Sequence, residues 1–186
     1  METNLELLKK PLTVDQIDFK VAQVTGNANG VWCYILAYKD ARTDMQVLDE
    51  ACGQLNWSNE YQRDSKGVLQ STISIWDAEK MQWISKTSNG VPSDFEGEKG
   101  EYSDAFKRAG FMWGIGRQLY DFPQIWVQLI EGDYFEKDGK YKATRKLRPN
   151  EWKWTVSEDY VSVTAERKFG GKYVNVYDSN PYNKKS

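Results

Sequence analysis

The stretch from residue 57 to residue 87 constrains the fold more than any other part of this sequence. Three runs of strand-forming residues follow one another there, namely Trp57–Arg63, Val68–Trp76 and Met81–Thr87. The middle run is rich in Val, Ile, Thr and Trp, which favour strands. Turn residues at 65–67 and 77–79 separate the runs. Because short turns join antiparallel neighbours, the sequence predicts a three-stranded antiparallel meander.

The rest of the chain mixes helix and strand signals. Turn and cap residues bound each segment, and Gly53 suits the end of the second helix. In chain order we expect a short helix at Leu5–Lys10, strands at Phe19–Thr25 and Val31–Ala37 around a turn at Gly26–Gly30, a helix at Ala41–Cys52, the meander, a polar loop at 88–101, a long helix at about Ser103–Tyr120, a strand at Ile125–Ile130, a hairpin through Lys137–Lys140 and a last strand pair around Gly170 and Gly171.

This order predicts an α+β fold, in which an antiparallel β-meander is packed by a long helix. The β-β-β-α core is expected within residues 1–125. Residues 126–186 are expected to form a basic, β-rich C-terminal extension, either as a separate flap or as part of the same domain. At 186 residues the chain is long enough to bury a sizeable core.

The long predicted helix separates apolar from basic residues. At 100° per residue, one stripe contains Phe106, Ala109, Trp113 and Tyr120, with Gly116 beside it. Lys107 and Arg108 point to the opposite side. Gly110, Gly114 and Gly116 would each cost about 1 kcal/mol relative to Ala in a helix interior. Close approach of another backbone is the usual reason for such glycines, and here we expect it to be the sheet on which the helix lies. A phosphate cradle is the alternative, although the spacing is not G-x-G-x-x-G.

The residue content argues against an enzyme. The chain has no His, which removes every catalytic dyad or triad that uses imidazole as the base. Its two cysteines, Cys33 and Cys52, cannot form a zinc site without further Cys or His, and we expect both to be buried thiols. We predict no metal and no cofactor. A metal-dependent nuclease is the enzymatic alternative, and Asp77-Ala78-Glu79-Lys80 is its nearest candidate; the other interpretation of these residues is a solvated turn.

Charge is distributed unevenly along the chain. The formal net charge is -2, yet residues 1–60 contain five Lys and Arg against nine Asp and Glu. Residues 137–153 contain seven basic residues against two acidic ones. Such clustering can bind phosphate even when the total charge is acidic. A lysine-rich hairpin kept soluble by its charge is the alternative interpretation.

Two blocks of residues resemble a known family. The first is Ser103-Asp104-Ala105-Phe106-Lys107-Arg108-Ala109, followed by Gly114-Ile115-Gly116-Arg117-Gln118-Leu119-Tyr120. The second is Tyr38-Lys39-Asp40-Ala41-Arg42, followed by Leu48-Asp49-Glu50, Gly53 and Asn56-Trp57. Together they resemble the Rad fifty-two family of single-strand annealing proteins, in its phage-encoded (Sak-type) branch. The resemblance covers about residues 15–125.

The resemblance implies a subunit that assembles into a ring or helical filament and holds single-stranded DNA by its backbone. Annealing in homologous recombination and DNA repair would then need no ATP. Lys107 and Arg108 match the family's basic pair, and Tyr38 matches an aromatic position in its DNA groove. Arg42 lies one helical turn on from Tyr38, and Arg117 belongs to the signature helix. The next basic position of the eukaryotic helix is Phe111 here, so one phosphate contact is missing or replaced by stacking.

The segment 134–154 suits the same role on physical grounds. Binding of single strands without sequence preference combines cations along the phosphates with aromatic faces for the bases. We therefore add to the candidate DNA-binding residues a set from this segment: Lys140, Tyr141, Lys142, Arg145, Lys146 and Arg148. Trp and Tyr at strand positions are also common in cores and subunit interfaces, which stays open for Tyr141, Trp152 and Trp154.

The expected partners are single-stranded DNA, further copies of the chain, and a single-strand-binding protein of the host or phage. No apolar run approaches the roughly 18 residues of a membrane helix, and the N-terminus lacks the pattern of a signal peptide, so we expect a cytoplasmic protein with no membrane partner. A protective single-strand binder without annealing activity is an alternative, and so is a β domain that binds carbohydrate or peptide. Subunit number, and ring versus filament, do not follow from the sequence.

Overall fold

The computed structural model describes residues 3–91, 97–160 and 162–180, with the first three residues of the middle segment described by backbone alone. Three α-helices and eleven strands occur in these segments. In chain order they are α1 (Leu5–Lys9), β1 (Asp18–Asn27), β2 (Gly30–Tyr38), α2 (Ala41–Cys52), β3 (Trp57–Arg63), β4 (Leu69–Asp77), β5 (Gln82–Asn89), α3 (Gly97–Trp113), β6 (Ile125–Gln128), β7 (Tyr134–Lys137), β8 (Lys140–Ala143), β9 (Lys153–Val156), β10 (Val163–Phe169) and β11 (Lys172–Asp178).

The chain divides into two compact units. The first contains the described parts of residues 1–11 and 39–117, and the second contains those of residues 12–38 and 118–186. The boundary expected at residue 125 does not coincide with this division. The reason is that β2 pairs with β6, so the N-terminal hairpin belongs with the C-terminal strands.

The predicted meander is confirmed in the first unit. Strands β3, β4 and β5 form an antiparallel sheet in that order. One face of β4 is buried and includes Ile73 and Ile75, as the period of two requires. On the other face, hydroxyl groups pair across the strands, with 2.8 Å between Thr72 and Thr87 Oγ1. The β-β-β-α core and the α+β class therefore follow the sequence prediction.

Helix α3 packs on this meander, although its limits differ from the prediction. Phe106, Ala109 and Trp113 are buried as expected, and the Trp113 indole N–H donates to the Ile73 carbonyl at 3.0 Å. The helix spans 97–113 rather than 103–120, so the expected loop at 88–101 is wrong from residue 97 on, and its residues 92–96 lie outside the described segments. Tyr120 lies in a 3-10 segment with 77% of its surface exposed, not on the buried stripe.

Gly114 explains where α3 ends. Its φ is +112°, a conformation that side chains with a Cβ rarely adopt, and Gly116 follows at +71°. A Cβ on Gly114 would also lie 3.1 Å from Lys9 Cγ, since α1 passes close by. The prediction that the sheet backbone accounts for the glycines is therefore wrong for Gly114, which ends the helix through its positive φ and lies against α1.

The second unit is built from small antiparallel sheets. Strands β1, β2 and β6 form one, β9, β10 and β11 another, and β7 and β8 a hairpin. The hairpin at 137–140 and the pair around Gly170 and Gly171 are confirmed, whereas β9 was not predicted. Asp133 and Arg167 form a two-hydrogen-bond ion pair in this unit. Both cysteines are free and buried, and burial raises the pKa of Cys33 to about 12.

Candidate nucleic-acid interface

The basic pair of α3 lies above a buried apolar layer. Ala105, Phe106 and Ala109 are buried, whereas Arg108 keeps about half of its side chain exposed. Arg108 Nε donates to Asp104 Oδ2 at 2.7 Å, one helical turn earlier. An exposed pair of this kind contributes about 0.3–0.5 kcal/mol, so a stronger anion can replace the carboxylate. Arg108 is therefore a cation available to phosphate.

Lys107 lies near a buried ion pair that sequence reasoning did not find. The Lys39 ammonium donates to Asp44 Oδ1 and, at 2.7 Å, to the Ile115 carbonyl. Burial raises the pKa of Asp44 to about 7, while the charges of Lys39 and Lys107 lower it. Burial likewise lowers the pKa of Lys39. Asp44 lies against Gly110, three residues after Lys107, so Lys107 is on the side of α3 that faces the first turn of α2.

Arg42 extends this basic region onto α2. Helices α2 and α3 pack together, and Arg42 is exposed in the first turn of α2, two residues before Asp44. The Asp40 side chain caps that turn by accepting the Arg42 backbone N–H at 2.8 Å. We call Arg42, Lys107 and Arg108 the α2–α3 cation face. The three predicted residues are thus carried by two helices that pack together.

Gly110 makes room for the buried carboxylate. A Cβ at this position would lie 2.8 Å from Asp44 Oδ1 and 3.0 Å from its Cγ, closer than ordinary contact. The close neighbour that the sequence prediction expected behind Gly110 is therefore a side chain of α2, not a sheet backbone. Asp44 Oδ2 has no hydrogen-bond partner within the described residues.

Arg117 has a structural position at the end of α3. Its guanidinium donates to the Phe111 carbonyl at 2.9 Å and to the Met112 carbonyl at 2.8 Å. These carbonyls belong to the last turn, where a helix leaves its acceptors unsatisfied. Lys86 also donates to Met112 at 3.0 Å. The Arg117 guanidinium lies 5.7 Å from the ring centre of Phe111, at the position where the resemblance implied a missing phosphate contact.

Tyr38 lies at the end of β2, not on a helix as a one-turn spacing to Arg42 would suggest. Its ring centre is 4.8 Å from the Lys20 ammonium, a cation–π contact within the second unit. Asp18 is its register partner on β1, which places Lys20 diagonally across the strand pair. Lys20 was not among the predicted residues, because only strand register brings it to Tyr38.

The remaining predicted residues are spread over β8 and the turn after it. Tyr141 packs against Gly26 and meets the Tyr134 ring edge-on at 5.7 Å, so it has a packing role. Arg148 donates to Glu151 at 2.9 Å and to the Arg145 carbonyl at 3.2 Å. The exposed cations of the set are Lys140, Lys142, Arg145, Lys146 and Arg148.

Two aromatic residues of the same segment pack within the second unit. Trp152 is buried, and Trp154 stacks on Phe19 with 3.8 Å between ring centres. The sequence left open whether Trp152 and Trp154 line a DNA groove or pack inside the protein. In the structure, both pack inside the second unit.

The turn at 77–80 is stabilised by its own acidic residue. Asp77 accepts the backbone N–H groups of Glu79 and Lys80, and the Lys80 ammonium at 3.0 Å. These bonds lower the pKa of Asp77. Within the segments that the structure describes, no group of three or more His, Cys, Asp and Glu could hold a metal ion. No helix in those segments is long and apolar enough to cross a membrane.

Exposed cations on two packed helices can bind an anionic polymer. Comparison with known proteins indicates which polymer the relatives of this chain are named for. The chain is 31% identical over 124 residues to single-stranded DNA-binding protein DdrA of Deinococcus radiodurans, a match that covers 64% of this chain and 56% of that protein. It is 28% identical over 124 residues to the protein of the same name in Deinococcus deserti, covering 64% and 58%. The chain thus matches little more than half the length of these relatives. No protein-family model matches it.

Proposed function

We propose that this chain binds single-stranded DNA through the α2–α3 cation face and anneals complementary strands without ATP. The observation that carries the proposal is the pair Lys107 and Arg108 on α3, outside a buried apolar layer. The two relatives named single-stranded DNA-binding protein DdrA support the choice of ligand. The resemblance to the Rad fifty-two family, in its Sak-type branch, supports annealing and an action in recombination and repair.

Phosphate contacts supply the affinity in this proposal. Each phosphate that a cation neutralises releases counterions, so log affinity falls with log salt by about 0.7 per contact for single strands. Arg108 can exchange Asp104 for a phosphate at small cost, because the Arg108–Asp104 ion pair is partly exposed. The charge of Lys107 lowers the pKa of the buried Asp44 carboxyl, so Lys107 supplies positive charge close to the α2–α3 contact.

The binding test compares matched charge changes within the first unit. Lys107→Ala with Arg108→Ala removes two cations from the α2–α3 cation face. Lys66→Ala with Lys80→Ala removes two exposed cations from the meander turns and serves as the control. Fluorescence anisotropy with a labelled oligothymidine at several salt concentrations gives the slope. We expect the first pair to flatten the slope by about 1–2 and the control to leave it unchanged. Equal slopes in both folded variants remove these residues from the site.

The annealing test uses two complementary oligonucleotides carrying a fluorophore and a quencher. We expect the protein to pair them faster than they pair alone, with EDTA present and no nucleotide added. Pairing at the spontaneous rate despite tight binding makes a protective single-strand binder the better function. Loss of labelled DNA only when Mg²⁺ is added identifies a metal-dependent nuclease instead.

We also propose that the chain acts as a homo-oligomer, either a ring or a filament, and meets a single-strand-binding protein on its DNA. The edges of the meander support self-association, because β3 and β5 each have one neighbour within the described residues and unpaired edges favour pairing. Size-exclusion chromatography with light scattering checks this at micromolar concentration. A monomer of about 21.6 kDa, with and without DNA, rules the oligomer out.

A further inference from the structure

A cleft of about 350 Å³ in the second unit is lined by an aromatic residue and two cations from distant parts of the sequence. Arg148 lies 110 positions beyond Tyr38 in the sequence, and the fold brings both to one lining. Both line this cleft together with Lys20. We infer that the cleft binds one nucleotide, with the phosphate between Lys20 and Arg148 and the base against Tyr38. This inference rests on the proposed function, since the nucleotide would belong to the bound strand.

The size of the cleft suits one nucleotide. Small-ligand pockets measure roughly 300–1,000 Å³, and this one is at the lower end of that range. Its walls are mostly apolar and include Val21, Leu147 and Pro149, which can cover a base without selecting its hydrogen-bonding edge. Such a wall suits a sequence-tolerant contact of the kind that single-strand binders use.

The cations of the cleft can exchange their present partners for a phosphate. Arg148 pairs with Glu151 at 2.9 Å, and both side chains are about two-thirds exposed, so the pair contributes little. Lys20 is exposed, and its ammonium lies over the Tyr38 ring, a contact that is weak at exposed sites. Glu151 is the one acidic residue of the lining. Binding of a phosphate requires the Glu151 side chain to move away from Arg148.

Asn150 is a further polar residue of the lining, and its hydrogen bonds fix the shape of the cleft. Asn150 donates to Asp18 Oδ1 at 3.0 Å and accepts the Phe19 backbone N–H, so it ties the turn after β8 to β1. The amide of Asn150 therefore uses both its donor and its acceptor within the protein. The two exposed cations therefore flank a hydrogen-bonded turn, and such a fixed turn favours preorganised binding.

The test separates this cleft from the α2–α3 cation face. Lys20→Ala with Arg148→Ala is compared with Lys168→Ala with Lys172→Ala, which removes two exposed cations of the same unit outside the cleft lining. In anisotropy with oligothymidine, we expect the cleft pair to weaken binding about fivefold to tenfold and flatten the salt slope by about one. Tyr38→Leu should weaken binding about fivefold with the slope unchanged, whereas Tyr38→Phe should bind like the original protein. A cleft pair equal to its control overturns the inference.

Photo-crosslinking locates the nucleotide directly. An oligonucleotide that carries 5-iododeoxyuridine is irradiated in the complex, and the crosslinked peptide is identified by mass spectrometry. We expect the crosslink on the peptide containing Tyr38, and its loss in the cleft pair. Crosslinks found only on α2 or α3 overturn the cleft while leaving the proposed function in place. If the original protein binds no single strand, titration with thymidine monophosphate tests the cleft by itself, and absence of binding there overturns it too.

Discussion

The Lys39 ammonium and the Asp44 carboxylate form an ion pair inside the first unit, with 7% and 0% of the two side chains exposed. Lys39 also donates to the Ile115 carbonyl beyond the end of α3, so one ammonium connects the start of α2 to the end of α3. Lys107 of the α2–α3 cation face acts electrostatically on both members of this pair. The pair therefore links the stability of the unit to the geometry of its basic surface.

Removing one partner of this pair should cost far more than removing both. Lys39→Met leaves a buried carboxylate unpaired, and we expect the free energy of unfolding to fall by about 3–5 kcal/mol. Lys39→Met with Asp44→Asn removes both charges and should recover at least half of that loss. Urea unfolding followed by tryptophan fluorescence provides the measurement. Lys80→Met, which breaks an exposed pair, should cost less than about 1 kcal/mol; an equal cost for Lys39→Met contradicts the prediction.

Stability should depend on pH through Asp44. Its folded pKa of about 7 lies above the ordinary value of 3.8, so the folded protein binds more protons between these values. The free energy of unfolding therefore falls as the pH rises from about 4 to 7. The groups around it are Lys39, Lys107 and Asp40. Asp44→Asn lacks this titration, and we expect the original protein to lose stability relative to it between pH 5 and 7.5. If the original protein instead gains stability relative to Asp44→Asn between pH 5 and 7.5, the prediction is wrong.

Gly110→Ala should destabilise the protein even though Ala favours helices. The added Cβ would press on the Asp44 carboxylate at 2.8 Å, and overpacking of this kind costs about 1–3 kcal/mol. The gain in helix propensity is about 1 kcal/mol. Thermal unfolding provides the measurement, and the matched background is Asp44→Ala, in which the clash is gone. There Gly110→Ala should be neutral or stabilising; the same loss in both backgrounds places the obstacle elsewhere.

Arg117→Ala should lower the free energy of unfolding more than it changes the binding of single-stranded DNA. The guanidinium satisfies two carbonyls of the last turn of α3, and its loss should cost about 1 kcal/mol. Arg117→Lys keeps the charge but not the paired donors, so it should recover only part of the stability. Denaturant unfolding and the salt slope are measured on the same samples. An unaltered unfolding midpoint with a flatter slope would assign Arg117 to DNA rather than to the helix end.

Asp104→Asn should strengthen binding to single-stranded DNA. The substitution frees Arg108 from its carboxylate and removes a negative charge near the phosphates, while the amide oxygen can still accept the Val91 backbone N–H. We expect a gain of about twofold to fivefold in low salt, which disappears near 1 M salt because surface charges are then screened. Glu79→Gln makes the same charge change on a meander turn and should have no effect. A weaker Asp104→Asn complex would mean that Asp104 holds Arg108 in its binding position.

Local patterns were sufficient for much of this protein. Helix α2 occupies the predicted residues, and the meander appears where alternation and turn residues placed it, because strand period and turn chemistry act over a few neighbouring positions. The apolar stripe of α3 followed in the same way for Phe106, Ala109 and Trp113. The exposed position of Arg108 also follows from helical period alone.

The remaining features depend on contacts between distant residues. The end of α3 depends on α1 passing Gly114, and the N-terminal hairpin joins the C-terminal strands because Ile35 pairs with Ile125. Lys39 is buried because Asp44 and the Ile115 carbonyl meet its ammonium, a combination that no local spacing indicates. Residue types and periods determined which segments form helices and strands and where cations are exposed. Tertiary packing decided which segments pair and which charges are buried, since those free energies arise only when distant parts of the chain meet.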